Sequence, residues 1–151
     1  MEQFKSLQEL REYIARLEKW FARSIVAGEH PTLHLHDSGD RATICGIRRE
    51  DYLFSACGNW VLPSKTHGLS FSAHWQHLKT IYKMREKRNK GKPISVYWVL
   101  QNADIPPGLE FVPDAKNNQH YLLCATERMH VEKLRSKLEW IADRMSIIEG
   151  A

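Results

Sequence analysis

Polar side chains that could do chemistry stand within apolar stretches at two places. The first is the segment 68–72, Gly-Leu-Ser-Phe-Ser, which leads into a predicted helix, so the hydroxyls of Ser70 and Ser72 would lie beside a helix N-terminus. Helix N-termini stabilise anions, and this arrangement suits a phosphate-bearing ligand. In the structural alternative, which this stretch alone favours, Ser72 caps the helix and Ser70 is a small strand residue.

The second place is His120, which opens a strand-like run in which His120, Leu122 and Cys124 share one face. A histidine at such a position can orient a substrate, donate a proton or stabilise developing charge. A lone histidine in a strand is more often structural, so the residue type alone assigns no function.

Two pairs of histidines could bind a metal. His34 and His36 share one face of a predicted strand, and His74 and His77 are neighbours on one helical face. A zinc site needs further ligands and an outer shell that orients them, and no carboxylate or cysteine stands at a sequence spacing typical of zinc ligands from either pair. We therefore predict no metal site.

Three helices are predicted to support these residues. Ser6 and Glu9 form a capping-box pattern, and apolar residues follow at three- and four-residue steps as far as Gly28, which predicts an N-terminal helix within residues 1–28. A central helix is predicted from Ser72, as its N-cap, to about residue 90, and a C-terminal helix from about residue 128 to residue 150. The last helix could instead pair with a partner's helix, but its apolar steps are too few for a coiled coil, so we favour packing within the chain.

The segments between the helices resemble strands. Residues 94–100 are almost wholly apolar, which predicts a central strand covered on both faces. Turn-forming residues at 37–40 and 57–58 predict two hairpins. The strand candidates are 32–36, 41–47, 52–56, 59–62, 94–100, 109–112 and 120–125. Their order among the helices predicts a single α+β domain over residues 1–151.

The positive charge is concentrated in one segment. The net charge is +4, and residues 83–92 hold six basic residues and one acid, a local +5 that leaves the rest of the chain at −1. This run could bind the phosphates of a nucleic acid, or it could be a solvated helix end, which is the interpretation we favour.

The sequence also indicates the compartment. Its first residues resemble no signal peptide, and no apolar stretch approaches the ~18 residues of a membrane span, so we expect synthesis in the cytosol and no membrane insertion. The three cysteines, Cys45, Cys57 and Cys124, are odd in number and widely spaced, which favours reduced thiols.

One stretch resembles a known family. Residues 102–125, NADIPPGLEFVPDAKNNQHYLLCA, are similar to the bacterial type VI secretion toxins with an ADP-ribosyltransferase-like fold, the family of the second type-six-exported effector. The parallels are the D-I-P-P-x-L turn at 104–109 and the pair His120 and Tyr121. Upstream, the aromatic-to-proline segment 58–63 and the G-x-S motif that ends at Ser70 resemble the same family, so the likeness covers about residues 52–145.

The resemblance implies a split antiparallel sheet and the use of nicotinamide adenine dinucleotide (NAD) as a substrate. On this basis Ser70 supports the ribose or the nicotinamide, and His120 orients the reacting ribose. Phe71 or Tyr52 packs on the ring, and Tyr121 belongs to the same binding site. The first strand of the family carries a tyrosine-arginine pair, and in its place we expect either His34 or His36, since the segment 32–36 has no arginine.

The resemblance also implies a biological role. The chain would be an antibacterial toxin that hydrolyses NAD or transfers ADP-ribose to a macromolecular acceptor, that is neutralised by a cognate immunity protein, and that a type VI system could export. The alternatives are a non-enzymatic nucleic-acid-binding module that uses residues 83–92 and an inactive scaffold with the transferase fold.

Overall fold

The computed structural model describes residues 2–17, 19–25, 29–35, 42–88, 96–101 and 105–150. Within these ranges the chain folds into three helices, α1 (Leu7–Ala15), α2 (Trp75–Arg88) and α3 (Val131–Ala142), together with mostly antiparallel strands. The predicted α+β class is therefore confirmed. His36, the predicted turn at 37–40, the basic residues beyond position 88 and Asp104 of the D-I-P-P motif lie outside the described residues.

A seven-stranded sheet organises the fold. Its strands, in chain order, are β1 (Glu2–Phe4), β2 (Trp20–Ile25), β7 (Leu69–Ser72), β8 (Val96–Gln101), β9 (Leu109–Asp114), β10 (Asn117–Ala125) and β12 (Ser146–Gly150). The spatial order is β1-β12-β8-β2-β7-β10-β9, in which β1 and β12 are parallel and every other pair is antiparallel.

Two smaller sheets accompany it. One has three strands in the order β11 (Met129–His130), β6 (Trp60–Leu62) and β5 (Leu53–Phe54), and the other is the hairpin of β3 (Thr43–Ile44) and β4 (Ile47–Arg48). The hairpin of β5 and β6 was predicted, and Gly58 between the two strands takes the left-handed conformation, φ +78°, which glycine adopts without strain.

Strand β8 is central and covered on both faces, as its composition predicts. Its neighbouring residues Val99 and Leu100 point to opposite faces, and both are buried. Val99 belongs to the core cluster that contains Leu10 of α1 and Leu78 of α2, whereas Leu100 belongs to the cluster that contains Leu134 of α3. Helices therefore pack on both sides of the main sheet.

The N-terminal helix is shorter than predicted. Its start is confirmed, since the Ser6 hydroxyl accepts a hydrogen bond from the Glu9 N–H at 3.2 Å, but the helix ends at Ala15. Phe21 and Ile25 lie in β2, where both are buried. A spacing of four residues returns a side chain to the same side in a helix and in a strand, so the apolar pattern continues through the change of structure.

The other two helices also differ from prediction at one end. Helix α3 stops at Ala142, and Ile148 lies in β12, where it belongs to the core cluster of Leu78 and not to that of Leu138. Helix α2 begins after His74, whose Nδ1 accepts from the Gln76 N–H at 3.3 Å. Ser72 is therefore the last residue of β7 and not the helix cap, which frees its hydroxyl for another contact. None of the helices in the described ranges is long and apolar enough to cross a membrane.

The register of the strands corrects two predictions, the single strand at 41–47 and the loop at 113–119. Residues 43–44 pair with 47–48 through Cys45 and Gly46, both with positive φ, and the described part of the predicted strand 32–36 contributes one backbone bond, from His34 N to Gly46 O at 2.7 Å. The polar loop predicted at 113–119 is a tight turn between β9 and β10. Its cause is local: the Asp114 carboxylate accepts from the Lys116 N–H at 3.0 Å and closes the turn.

Candidate functional site

The main sheet is interrupted between β2 and β7. In the described parts of these two strands, Ala22 and Ser72 form the one register pair, and the pairing does not continue to Ser24 and Ser70. A cavity of about 340 Å³ lies at this point, lined by β2, β7, β10 and α2, with Ser24, Ser70, Ser72, His77, Ile81 and His120 among its residues. We call it the β2–β7 cavity.

Register explains why Ser70 and His120 reach the same cavity. Strands β7 and β10 are antiparallel, with Ser70 opposite Leu122 and Ser72 opposite His120. Alternate residues of a strand share a face, so Ser70, Ser72 and His120 all point to the side that α2 covers. The two residues predicted to be catalytic therefore line one cavity, although they are separated by 50 positions in the sequence.

His120 is held by a carboxylate. Its Nδ1 lies 2.9 Å from Oδ2 of Asp114 on β9. Hydrogen bonds from the Lys116 N–H and from His120 keep the pKa of Asp114 below its usual value, so this carboxylate is ionised at neutral pH and can only accept a hydrogen bond. The Nδ1 of His120 consequently carries the proton, which fixes the tautomer and the orientation of the ring.

A second imidazole lies against the first. The rings of His77 and His120 stack with centroids 5.1 Å apart and planes inclined by 19°. His77 Nδ1 is 2.5 Å from the Ser72 hydroxyl oxygen. Burial, and secondarily the charge of His120, lowers the pKa of His77, so that this ring is neutral at neutral pH.

Arg23 bridges the interruption in the sheet. Its Nε donates to the Pro31 carbonyl oxygen at 2.8 Å, and its Nη1 donates to the Ser70 carbonyl oxygen at 2.6 Å. The guanidinium carbon lies 5.7 Å from the centre of the Phe71 ring. Arg23 is also among the residues that line the β2–β7 cavity, although strand alternation places its side chain, like that of Phe71, on the face of the sheet opposite Ser70 and His120.

Sequence reasoning missed Arg23 and His77 for different reasons. The apolar spacing predicts a helix through Arg23, although the aromatic pair Trp20 and Phe21, which ends two residues before it, is typical of a strand. From the sequence, His77 is a candidate only together with His74, as a pair that could bind a metal. The signal that could have found it is the five-residue step from Ser72 across the junction between β7 and α2, and this step is informative only once the junction is located.

Ser24 adds an uncommitted hydroxyl to the site. Its Oγ is buried, has no hydrogen-bond partner among the described residues and belongs to a residue that lines the cavity. A buried hydroxyl without a partner is costly, and a ligand with a polar group at this position would satisfy it.

Two of the residues predicted to bind the dinucleotide, Tyr52 and Tyr121, do not line the cavity. Tyr52 is buried, and its hydroxyl donates to the Leu123 carbonyl oxygen at 2.7 Å, while burial raises the pKa of the phenol well above its usual value. Tyr121 lies on the face of β10 opposite His120, and its ring packs edge-on against Phe21 with the ring centroids 5.4 Å apart. Tyr121 lines a separate cavity of about 440 Å³ together with Lys19 and Trp20.

Of the remaining residues predicted to bind the dinucleotide, one lines the β2–β7 cavity and one does not. Phe71 lines the β2–β7 cavity, but its ring is almost fully buried against Phe111, with centroids 5.1 Å apart. His34 lies outside this cavity, with Nε2 3.7 Å from Oδ2 of Asp51, and His36 lies outside the described residues. In the part of the chain that the structure describes, no three His, Cys, Asp or Glu side chains come close enough to hold a metal ion.

The cavity is thus lined by three serines, two imidazoles and Arg23, whose guanidinium bonds across the interruption between β2 and β7. Hydroxyl and guanidinium groups bind ribose hydroxyls and phosphates, and two imidazoles in different environments can divide the transfer of a proton between them. No protein-family model, no curated protein and no solved structure matches the chain.

Proposed function

We propose that the chain is an enzyme that binds NAD in the β2–β7 cavity and breaks the bond between nicotinamide and ribose. It then hydrolyses the dinucleotide or transfers ADP-ribose to a macromolecular acceptor. The observation that carries this proposal is that Arg23, Ser70 and His120 line one cavity while they belong to three successive strands of one sheet. The toxin family that the sequence resembles also distributes its site over a first-strand arginine, a G-x-S motif and a His-Tyr pair.

The chemistry of the cavity supports this substrate. Cleavage of the nicotinamide–ribose bond generates an oxocarbenium-like ribose, which is stabilised by fixing the substrate on both sides of the bond. The Arg23 guanidinium suits a phosphate or the nicotinamide amide. The hydroxyls of Ser24 and Ser70 suit ribose hydroxyls, and His120 stands beside them with its ring fixed by Asp114.

The proposal changes one assignment made from the sequence. His34 or His36 was expected in place of the family's first-strand arginine. We assign that place to Arg23 instead, because Arg23 lies on a strand beside the one that carries Ser70 and contacts the Ser70 carbonyl oxygen. Of the proposed ring-packing residues, Phe71 lines the cavity and Tyr52 serves the core.

The interrupted pairing of β2 and β7 supports the split sheet of the ADP-ribosyltransferase-like fold as part of the same proposal. The corresponding biological role is that of an antibacterial toxin, exported by a type VI system and neutralised by an immunity protein. Export and neutralisation follow from the resemblance alone.

Inducible expression in a bacterium tests the proposal. Wild-type protein is expected to deplete cellular NAD before growth stops, whereas the His120→Ala variant at the same soluble level is expected to do neither. Normal growth and a normal NAD content with abundant folded wild-type protein would contradict the assigned function.

A further inference from the structure

His77 lines the β2–β7 cavity, and neither the sequence motifs nor the resemblance gives it a role. Its ring is fixed from two sides, by the Ser72 hydroxyl 2.5 Å from Nδ1 and by the parallel face of His120 at 5.1 Å. Because Nδ1 is engaged by Ser72, Nε2 is the nitrogen that remains for a ligand. A histidine that is fixed in this way and lines a cavity is suited to proton transfer.

We propose that His77 is the catalytic residue that takes the proton from the hydroxyl group attacking the ribose, and that His120, whose ring Asp114 fixes, orients that ribose. This inference rests on the proposed function, because it assigns one step of that reaction. The two rings have different environments: His120 contacts the Asp114 carboxylate, whereas His77 contacts a neutral hydroxyl and the other ring. Titratable pairs with opposed environments divide the roles of acid and base.

The step balances without a further reactant. The oxygen of water or of an acceptor hydroxyl forms the bond to ribose C1′, and its proton passes to Nε2 of His77. The bond between C1′ and the nicotinamide nitrogen breaks, and its electron pair leaves with nicotinamide, which becomes neutral. His77 then returns the proton to solvent, so one proton is released for each dinucleotide cleaved.

Several elements place polar or titratable groups around the His77 ring. They are His120 from β10, with Asp114 of β9 behind it, and Ser72 from β7. Arg23 of β2 lines the same cavity and donates to the Pro31 and Ser70 carbonyl oxygens. Burial, and secondarily the charge of His120, lowers the pKa of His77.

The test is the pH dependence of nicotinamide release by the purified chain. His77→Asn keeps an amide near the position of Nδ1 that can still bond Ser72 and removes only the proton-accepting nitrogen, and His77→Gln places its amide near Nε2 instead. A matched control is His67→Asn, because His67 Nδ1 lies 2.9 Å from the Ser64 hydroxyl in a similar pair outside the cavity. Histidine NMR on each folded variant reports the tautomer independently of turnover.

In wild-type protein we expect the rate of nicotinamide release to fall as the pH drops, because His77 becomes protonated. At pH 7 we expect NMR to show a neutral His77 ring with no proton on Nε2. Both His77 variants should lose about 100-fold or more in rate and the acidic limb of the profile, while His67→Asn keeps both. Wild-type rate and profile in a folded His77 variant, or a proton on Nε2 in the neutral ring, would overturn the role of His77 alone. A wild-type chain that releases no nicotinamide, with or without cell lysate, would overturn the proposed function as well.

Discussion

The imidazoles of His77 and His120 lie face to face, 5.1 Å apart, although one ring comes from a helix and the other from a strand. Two imidazolium ions at this distance repel each other, so the pair holds one positive charge far more readily than two. The Asp114 carboxylate contacts the His120 ring, and burial lowers the pKa of His77, so that the His77 ring is neutral at neutral pH.

The stability of the fold should therefore depend on His77 below neutral pH. Folding lowers the pKa of His77 from 6.5, so below this value the unfolded chain binds the proton more readily, and the contribution of His77 is present above pH 6.5 and lost as pH falls towards the folded pKa. The melting temperature of wild-type protein should drop more between pH 7 and pH 5 than that of His77→Asn. Parallel curves for the two proteins would contradict the burial of a neutral His77.

Asp114 is expected to act through His120. Asp114→Ala removes the acceptor of the His120 Nδ1 proton and should lower nicotinamide release by about 10-fold or more, while Asp114→Asn, which keeps an acceptor oxygen, should recover part of the rate. The readout is the rate at several pH values together with the His120 tautomer. Equal rates for the wild type and Asp114→Ala would remove this carboxylate from the site.

Replacing Arg23 should separate its charge from its geometry. Arg23→Lys keeps the positive charge but cannot reach the Pro31 and Ser70 carbonyl oxygens with the same planar fork. We expect NAD affinity, measured by calorimetry, to fall about 10-fold or more because the guanidinium contacts are lost. Unchanged affinity would favour a purely structural bridge between β2 and β7.

Tyr52 should be important for stability and not for activity. Tyr52→Phe deletes the buried hydrogen bond to the Leu123 carbonyl oxygen and should lower the free energy of unfolding by about 1–2 kcal/mol in urea titrations. Nicotinamide release below the melting temperature should stay at the wild-type rate. A variant with normal stability and impaired NAD binding would restore Tyr52 to the ring-binding role expected from the sequence.

The basic segment tests the nucleic-acid alternative. Lys83 and Lys87 are exposed on the C-terminal half of α2, outside the β2–β7 cavity. Replacing Lys83, Arg85, Lys87 and Arg88 together with glutamine should leave growth arrest unchanged. If the change abolishes growth arrest together with a salt-sensitive affinity for nucleic acid, the non-enzymatic alternative gains.

The sequence predicts local features well and long-range ones only where strands are in register. The cap at Ser6, the hairpin at Gly58 and the buried strand through Val99 follow from residue type and short spacing. Ser70 and His120 line one cavity because β7 and β10 are neighbouring strands. Residue type and alternation predict that each of them lies on a strand.

The missed part of the site depends on contacts that local patterns do not contain. Arg23 and Ser70 are 47 positions apart, and their contact exists only because β2 lies beside β7. The apolar step from Phe21 to Ile25 fits a helix and a strand equally, so the strand that carries Arg23 could not be recognised by periodicity. The His77–His120 stack likewise requires α2 to cover the face of β10 that carries His120.

The most direct test of the central claim is the release of free nicotinamide from NAD by the purified chain, compared with His120→Ala at equal concentration and with the melting temperature of both proteins. The account predicts release by the wild type and loss of release in the variant. It also predicts a similar melting temperature, because the side chains of His120 and Asp114 are partly exposed, at 19% and 28%, and such pairs contribute little to stability. Ser70→Ala should give an intermediate rate. A folded His120→Ala protein that releases nicotinamide as fast as the wild type would contradict the claim that this cavity is the active site.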